Sequence, residues 1–475
     1  VYAPSHPVRQ NLFVPRLFQN TRGTFACRLF VDRPLVNKFR GGNKIGLGMA
    51  SSLAPLPPGS GVAATLEGAA SFRVRTAALS CPAAPILRPT EIVRLIKFGA
   101  MFAIVLLTLS CATAQHAARS LSHSERELIR LACPHTIVVL GENGHGDGAT
   151  IALKARLIPE LVRRCGFSAI AFEGSFYDFA ELGRTTPLDQ PYDRHRLLSA
   201  VGRIWNRDTE FSPVADWMSQ QSPSRLVLAG IDDQVGSTGA FYSLTTMPAE
   251  LAALVPDDDR AACQSLLALD GWDGLDQLAQ QERTDHCLAQ ALHQLSLRSD
   301  AEAERFRSLA EAFRRANARS SLQGDAYVAA RDRAMADNLD AFRRTLPSGA
   351  KIIVWTGNFH AAGGGLANGE TLGQIARARY GSALFTVGFS AAGGRFRWSQ
   401  AEVRDVPSAP VGSVEAEILR GRASAVAARA RLASLGTVTG TALSWHQAIT
   451  ADWSMMFDAL FVLRREEPTT LNMSE

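Results

Sequence analysis

Apolar residues in this chain fall into short unbroken runs separated by stretches of three-to-four spacing. "HTIVVLGE" (135–142), "GFSAIAFEG" (166–174), "SRLVLAGIDD" (224–233), "KIIVWTGN" (351–358) and "ALFTVGFS" (383–390) are continuous rather than alternating, which predicts strands buried on both faces. "FDALFVLRR" (457–465) predicts a last strand. Between the runs, "LSHSERELIRLA" (121–132) has helical spacing, with Ser122 and Ser124 as candidate caps. "ATIALKARLIPELVRRC" (149–165) carries a stripe at Ile151, Leu157 or Ile158, and Leu161. Helical stretches recur around 192–220 and at Thr371–Arg379. Strand and helix alternation implies right-handed crossovers and an α/β fold, a mostly parallel central sheet flanked by helices. Residues 247–346 break the alternation: "AELAALV", "RAACQSLLALDGW", "LAQALHQL", "AERFRSLAEAFRRANAR" and "DAYVAARDRAMADNLDAFRRTL" all keep helical spacing, which predicts a helical insertion or subdomain. No repeat of 20–50 residues is visible.

The beginning of the chain has no such pattern. Residues 1–92 are rich in Pro, Gly, Ser and Arg, include "SSLAPLPPGSGVAA", and start with Val1, so they are expected to lack fixed structure or to lie upstream of the true start. Then Arg94 and Lys97 precede an apolar run from Phe98 to Leu109 and an Ala112-Thr113-Ala114 exit, the layout of a secretory signal peptide over 93–114. The run is too short for a permanent membrane span. The expected location is therefore outside the cytoplasm, in the periplasm; lipidation at Cys111 is the less favoured variant, because Thr108-Leu109-Ser110 is a poor approach to it.

Charge sharpens that division. Residues 1–114 hold 13 Lys and Arg against three acids, whereas the remaining 361 hold 37 basic and 42 acidic side chains, so the exported part offers no net attraction to nucleic acid. Export also gives the cysteines a meaning. Cys133, Cys165, Cys263 and Cys287 remain past the cleavage point, an even number that predicts two disulfides. Cys133 and Cys165 each precede a strand; if those strands are parallel neighbours, the pairing is 133–165 with 263–287.

Polar residues collect where the strands stop. The first run ends in "GENGHGDG" with Glu142, His145 and Asp147, the second in Glu173, the third in Asp232 and Asp233, and the fourth in Asn358 and His360. In open parallel sheets ligands bind outside the carboxyl ends of the strands, so these side chains are expected to converge. Lys154 occupies the stripe Ile151–Lys154–Ile158–Leu161 where an apolar residue is expected; it either snorkels outward or enters the crevice beside an anion, and its place one turn past the Glu142–His145 loop favours the crevice. The glycine-rich loop lacks the P-loop pattern and G-x-G-x-x-G, and Glu142 would repel phosphate. Two carboxylates and two histidines are acceptable metal ligands, although no H-E-x-x-H spacing occurs. No G-x-S-x-G elbow supports a serine nucleophile. General acid/base chemistry by an imidazole oriented by carboxylates remains, with no cofactor expected. His195, His286 and His446 have only packing roles in this reading.

"GENGHG" with Lys154, "GFSAIAFEGS", "LAGIDDQ", "RDRAMADNL", "IIVWTGNFH" and "TLGQIARARYG", in that order and up to "FDALFVL", resemble the erythromycin esterase family. That resemblance implies an α/β fold with helical additions and hydrolysis of a macrolide lactone by a histidine-activated water, without a covalent intermediate. It makes His145 the general base, with Glu142 and Glu173 orienting it and the water. Lys154 becomes an oxyanion stabiliser, His360 completes the site, Arg331 supplies a second cation, and Asp232 and Asn358 line the substrate. Asp147 is required by neither the chemistry nor the resemblance. One departure stands out: the family's "W-x-H-N-x-H" is here Trp355-Thr356-Gly357-Asn358-Phe359-His360, so an imidazole is replaced by open space. The expected function is an exported hydrolase of a small-molecule ester or lactone; a periplasmic metal- or haem-binding protein of related fold, or a transferase using the same crevice, are the alternatives.

Overall fold

The computed structural model describes residues 120–235, 241–268, 277–364 and 370–472, all within the second of two compact units of the chain, Lys97–Glu475. The structureless leader expected over 1–92 and the signal peptide expected over 93–114 fall outside the described residues. Helix α1 (His123–Ala132) starts at a capping box, in which the Ser122 hydroxyl accepts from the Glu125 N–H and Glu125 accepts in return from the Ser122 N–H. It leads to β1 (Ile137–Leu140), α2 (Gly148–Cys165), β2 (Phe167–Ser175), α3 (Phe176–Thr185), α4 (Arg194–Val201), α5 (Ser212–Ser219) and β3 (Val227–Asp232). Five helices follow before the sheet resumes: α6 (Met247–Ala252), α7 (Asp257–Leu267), α8 (Gln277–Ser296), α9 (Ala301–Arg319) and α10 (Gly324–Thr345). Then come β4 (Lys351–Trp355), the short α11 (Asn358–Ala361), α12 (Leu372–Tyr380) capped by Thr371, and β5 (Leu384–Ala391). The last strand of the sheet in sequence is β11 (Ala459–Leu463).

These strands form one seven-stranded sheet in the order β3-β2-β4-β1-β5-β11-β8, parallel except for the edge strand β8 (Ser424–Ala428), which runs antiparallel to β11. β1 is central and pairs Ile137 with Ile352 of β4 on one side and Leu384 of β5 on the other. Side-chain alternation divides the sheet into two cores. Val138, Leu140, Ile170, Phe172, Ile353, Trp355, Val387 and Phe389 point to one face, packed with Trp205, Phe179 and Phe211. Ile137, Val139, Ala169, Ala171, Ile352 and Val354 point to the other, against Met335, Leu339 and Leu372. With both faces covered, the strands are apolar at successive positions through their middles, and this is why they read as continuous runs. The helical region has a core of its own, built from residues such as Met247, Leu251, Cys263, Cys287, Leu288, Leu309 and Phe313.

The region between β5 and β11 holds structure that apolar runs did not reveal. A hairpin of β6 (Gly394–Ser399) and β7 (Glu402–Val406) and another of β9 (Thr437–Gly440) and β10 (Ile449–Asp452) lie there, with β8 and the short helices α13 (Val414–Leu419), α14 (Arg429–Ala433) and α15 (Trp453–Met456). Their strands are four to six residues long and partly exposed, so no unbroken apolar run marks them. Both disulfides form, Cys133–Cys165 and Cys263–Cys287, with Cα separations of 4.9 and 5.5 Å. The premise of neighbouring strands needs correction: β4 lies between β1 and β2. Cys133 and Cys165 meet because they end α1 and α2, and the Lys351 ammonium at the start of β4 donates to the carbonyls of both. Among the described residues no helix is long and apolar enough to cross a membrane.

Candidate active site

The loop after β1 is glycine-rich because neighbouring chain comes too close for a Cβ. A methyl on Gly141 would run into the Asn358 side chain, and one on Gly146 into the Arg397 carbonyl. Asp147 ties the loop together: its carboxylate accepts from the Gly144 N–H at 2.9 Å and pairs with His446 Nε2 at 3.0 Å. His446, read as a packing residue, thus holds the loop in place.

Glu142 is buried and accepts four hydrogen bonds. His145 Nδ1 and Trp205 Nε1 donate to Oε1, each at 2.7 Å; Lys154 Nζ at 2.8 Å and Trp355 Nε1 at 3.0 Å donate to Oε2. Burial acts to raise this carboxyl, but the Lys154 ammonium and His145 outweigh it and hold it below its usual range. With every position on the carboxylate taken, Glu142 is a fixed anion rather than a proton acceptor. Lys154 is wholly buried beside it, with Nζ 4.1 Å from the centroid of the Trp355 ring, so the exception in the helical stripe points inward.

His145 is therefore oriented. Its Nδ1–H is committed to Glu142, which leaves the lone pair of the neutral ring on Nε2, while Trp205 and Trp445 pack edge-on against it with centroids at 5.6 and 5.9 Å. Burial works against the charged ring, yet the hydrogen bond and charge of Glu142 and the charge of Glu173 prevail and raise its pKa above the usual imidazole value. The side chain remains 31% accessible, so the ring is shielded but reachable.

A second cluster sits at the ends of β2, β3 and β4. Glu173 accepts from the Thr356 hydroxyl at 2.7 Å, the Gly357 N–H at 3.0 Å and Arg331 Nη2 at 2.8 Å. Burial opposes ionisation, but the charges of His360, Arg331 and His145 hold this carboxyl far below its usual range. Arg331 also reaches Asp232 Oδ2 through Nε at 3.1 Å and Nη2 at 2.7 Å. His360 donates through Nδ1 to Asp332 at 2.7 Å. Its Nε2 lies 3.2 Å from Arg331 Nη1 and 3.4 Å from Glu173 Oε1. A guanidinium only donates, so the neutral ring accepts from Arg331, and protonation switches Nε2 to Glu173. Burial opposes that protonation, and the charges of Asp332 and Glu173 favour it and raise the pKa.

Two cavities meet at His145. The smaller, about 70 Å³, is bounded by Glu142, His145, Gly357, His360, Ser444 and Trp445 and has room for a water or two. The larger, about 260 Å³, is bounded by His145, Arg203, Asp208, Arg397, Trp398 and Trp445. A more open cavity of about 520 Å³ between α9 and α10, lined by Arg315, Arg319 and Arg333, touches neither cluster.

Of the expected residues, Glu142, His145, Lys154, Glu173, Arg331 and His360 come together at the carboxyl edge of the sheet. The Asn358 amide donates to the Phe389 and Ala442 carbonyls at 2.6 and 2.8 Å and accepts from the Phe389 N–H at 3.1 Å, so it fastens α11 to β5 while the residue borders the smaller cavity. Asp232 is buried and its oxygens are engaged by Arg331 and the Gln234 N–H, so it positions the guanidinium. Asp233 belongs elsewhere, paired with Arg319 of the helical region. Sequence reasoning missed Trp205, Trp355 and Asp332. Trp355 was accessible from the alternation of β4 and Asp332 from its place beside Arg331, whereas nothing local marks Trp205. Among the described residues no group of three or more His, Cys, Asp or Glu is arranged to hold a metal ion.

Gly357 has an extended backbone with φ −72° and ψ 153°, and a Cβ there would meet His360 at 3.7 Å and Glu173 at 3.8 Å, ordinary contacts. Gly357→Ala is therefore expected to leave stability unchanged or raise it by about 0.4–1 kcal/mol through the unfolded chain. Gly146→Ala is expected to cost about 1–3 kcal/mol by overpacking against Arg397. Urea denaturation measures both; a loss above 1 kcal/mol for Gly357→Ala would mean that the space beside it is not open.

A family model for erythromycin esterase matches residues 162–465, a span that contains Glu173, Arg331 and His360 but begins after Glu142, His145 and Lys154. Among solved structures, an erythromycin esterase mutant, EreC in its open conformation, is similar with a TM-score of 0.57 at 19% identity, covering 73% of this chain and 95% of that one. A succinoglycan biosynthesis protein is similar with a TM-score of 0.56 at 18% identity, covering 72% and 91%. A Bacillus cereus protein gives 0.56 at 14%, covering 74% and 100%. At these identities the structural likeness speaks for the fold. No curated protein sequence gives a significant match. The matched span runs from the last turn of α2 to just past β11 and takes in well over half of the chain, so the chain belongs to the erythromycin esterase family.

Proposed function

We propose that this protein is an exported hydrolase that cleaves a small-molecule ester or lactone by direct attack of a water activated at His145. The observation that carries the reading is the Glu142–His145 pair: an imidazole held through Nδ1 by a saturated carboxylate, with Nε2 open to a cavity of water size. In this reading Nε2 removes a proton from water as its oxygen bonds to the acyl carbon. Arg331 and Lys154 supply positive charge where negative charge develops on the carbonyl oxygen. Glu173 fixes Arg331 and, through the Gly357 N–H and Thr356, the turn after β4. His360 shares a proton position with Glu173 and Arg331 and completes the polar wall. Export is supported by the residue pattern over 93–114 and by the pairing of all four downstream cysteines, as suits an oxidising compartment.

The test is hydrolysis of an ester and lactone panel by the purified protein in ¹⁸O-labelled water. The expected result is turnover, label in the acid from a first single turnover, and alcohol and acid released in step. A burst of alcohol ahead of acid would mean an acyl-enzyme and end the direct-water mechanism, and the absence of any turnover would end the hydrolase reading.

A further inference from the structure

Asp208 is a buried acid that the scheme above leaves unused. It is 5% exposed, lies ahead of α5, and borders the larger cavity together with His145. Its Oδ2 makes no well-formed hydrogen bond, and the Thr469 hydroxyl, which lies near enough to interact with it, makes none either. An unpartnered buried carboxyl is costly, and such groups concentrate where a ligand completes them. Two aromatic residues border the same cavity: Trp398 and Trp445, packed edge to face with centroids 4.6 Å apart. Trp445 and His446 both hold positive φ, 50° and 56°, a conformation that costs energy in residues with a side chain. The pair is clamped by Asn143, whose carbonyl accepts from the Trp445 N–H at 2.9 Å and whose Oδ1 accepts from the His446 N–H at 2.8 Å. Backbone strain is thus retained to keep the Trp445 indole between the two cavities and against His145.

We infer that the larger cavity receives the alcohol half of the ester, a ring-bearing alcohol seated on Trp398 and Trp445, and that Asp208 is the proton donor to its departing oxygen. The inference rests on the hydrolase reading. The step balances as follows. His145 Nε2 takes a proton from water while the water oxygen bonds to the acyl carbon. As the tetrahedral species collapses, the acyl carbon–alkoxy oxygen bond breaks and the Asp208 O–H proton passes to that oxygen, giving acid and alcohol. The proton held on His145 returns through solvent to the Asp208 carboxylate. Protonation of Asp208 in the resting protein fits its surroundings. Burial raises its pKa, Glu210 and Glu142 add to the rise, Thr469 and Arg397 oppose it, and the group is pushed up to about 8. Arg203 and His145 are the other titratable groups on this cavity.

Assistance to a leaving group matters for an alkoxide and little for a stabilised phenolate, which separates a proton donor from a structural residue. The full chain and its Asp208→Asn variant are compared on cyclohexyl acetate and p-nitrophenyl acetate. The variant is expected to lose about 10²-fold more kcat/KM on cyclohexyl acetate than on p-nitrophenyl acetate. The alkaline fall near pH 8 that the wild type shows on cyclohexyl acetate should also disappear in the variant. Lys154, drawn down to about 8 by burial against the pull of Glu142, titrates in the same range, but its effect would appear with both esters and survive in the variant. Equal losses on the two esters would overturn the assignment of Asp208 alone. A wild type inactive on both would overturn the hydrolase reading beneath it.

Discussion

His145→Ala is expected to lower kcat for ester hydrolysis by about 10²–10⁴-fold, the range typical of a lost general base. The variant removes the imidazole held by Glu142, and the water that filled its place would have no comparable base at the same point. Stability should respond with the opposite pH dependence, which makes the assignment testable apart from activity. The folded pKa of His145 is raised above its unfolded value of about 6.5, so its protonated form stabilises the fold. That contribution is complete below about pH 6.5 and is lost as pH rises through the folded pKa. The alanine variant should therefore fall furthest behind the wild type in acid and approach it in alkali, when urea midpoints are compared across pH. Activity runs the other way, because only the unprotonated ring accepts a proton; the acid limb of the wild-type rate profile should lie above about pH 6.5. A variant whose kcat matches the wild type above that limb would remove His145 from the chemistry.

Lys154→Met is expected to destabilise the fold by about 3–5 kcal/mol, the cost of breaking a buried ion pair from one side. Methionine fills nearly the same volume, so packing against Trp355 is kept and the loss is electrostatic. Glu142 keeps its donors Trp205, Trp355 and His145 but loses the one full positive charge that offsets its burial. Its carboxyl then rises but stays ionised at neutral pH, and its field on His145 is no longer offset by the neighbouring ammonium. The acid limb of the rate profile should move to higher pH in this variant, while the urea midpoint drops. Adding Glu142→Gln should recover part of the stability and none of the activity, since the amide still accepts from an indole but leaves His145 without its anion. A single variant as stable as the wild type would show that the indoles alone balance Glu142.

The polar ends of β1, β2 and β4 were legible as a site because both the strand runs and the rule that ligands sit at the carboxyl edge follow from local pattern. Lys154 was legible for a related reason: a cation in an apolar helical stripe must find either water or an anion, and the adjacent loop offered Glu142. Position alone does not say how an amide is used; that of Asn358 is engaged by the approach of β5 and of Ala442. Trp205 and Asp208 lie in the turn between α4 and α5, and Trp398 and Trp445 on a hairpin and a strained loop that no apolar run announces. Their use depends on which strand-end loop they face, and that is set by contacts between segments more than 60 residues apart, such as Trp205 with Glu142.

By itself the sequence determined the alternation of strand and helix, the expectation of two disulfides, and the chemical types gathered at one edge of the sheet, because each follows from periodicity, cysteine count or charge within a short window. The order of the strands, with β4 set between β1 and β2, was decided only in three dimensions. So were the saturation of Glu142 by four donors, the two cavities that meet at His145, and the burial of Asp208. Burial and hydrogen-bond satisfaction belong to surfaces brought together from distant parts of the chain, and it is these that turn an acid into a fixed anion at Glu142 and into a proton carrier at Asp208.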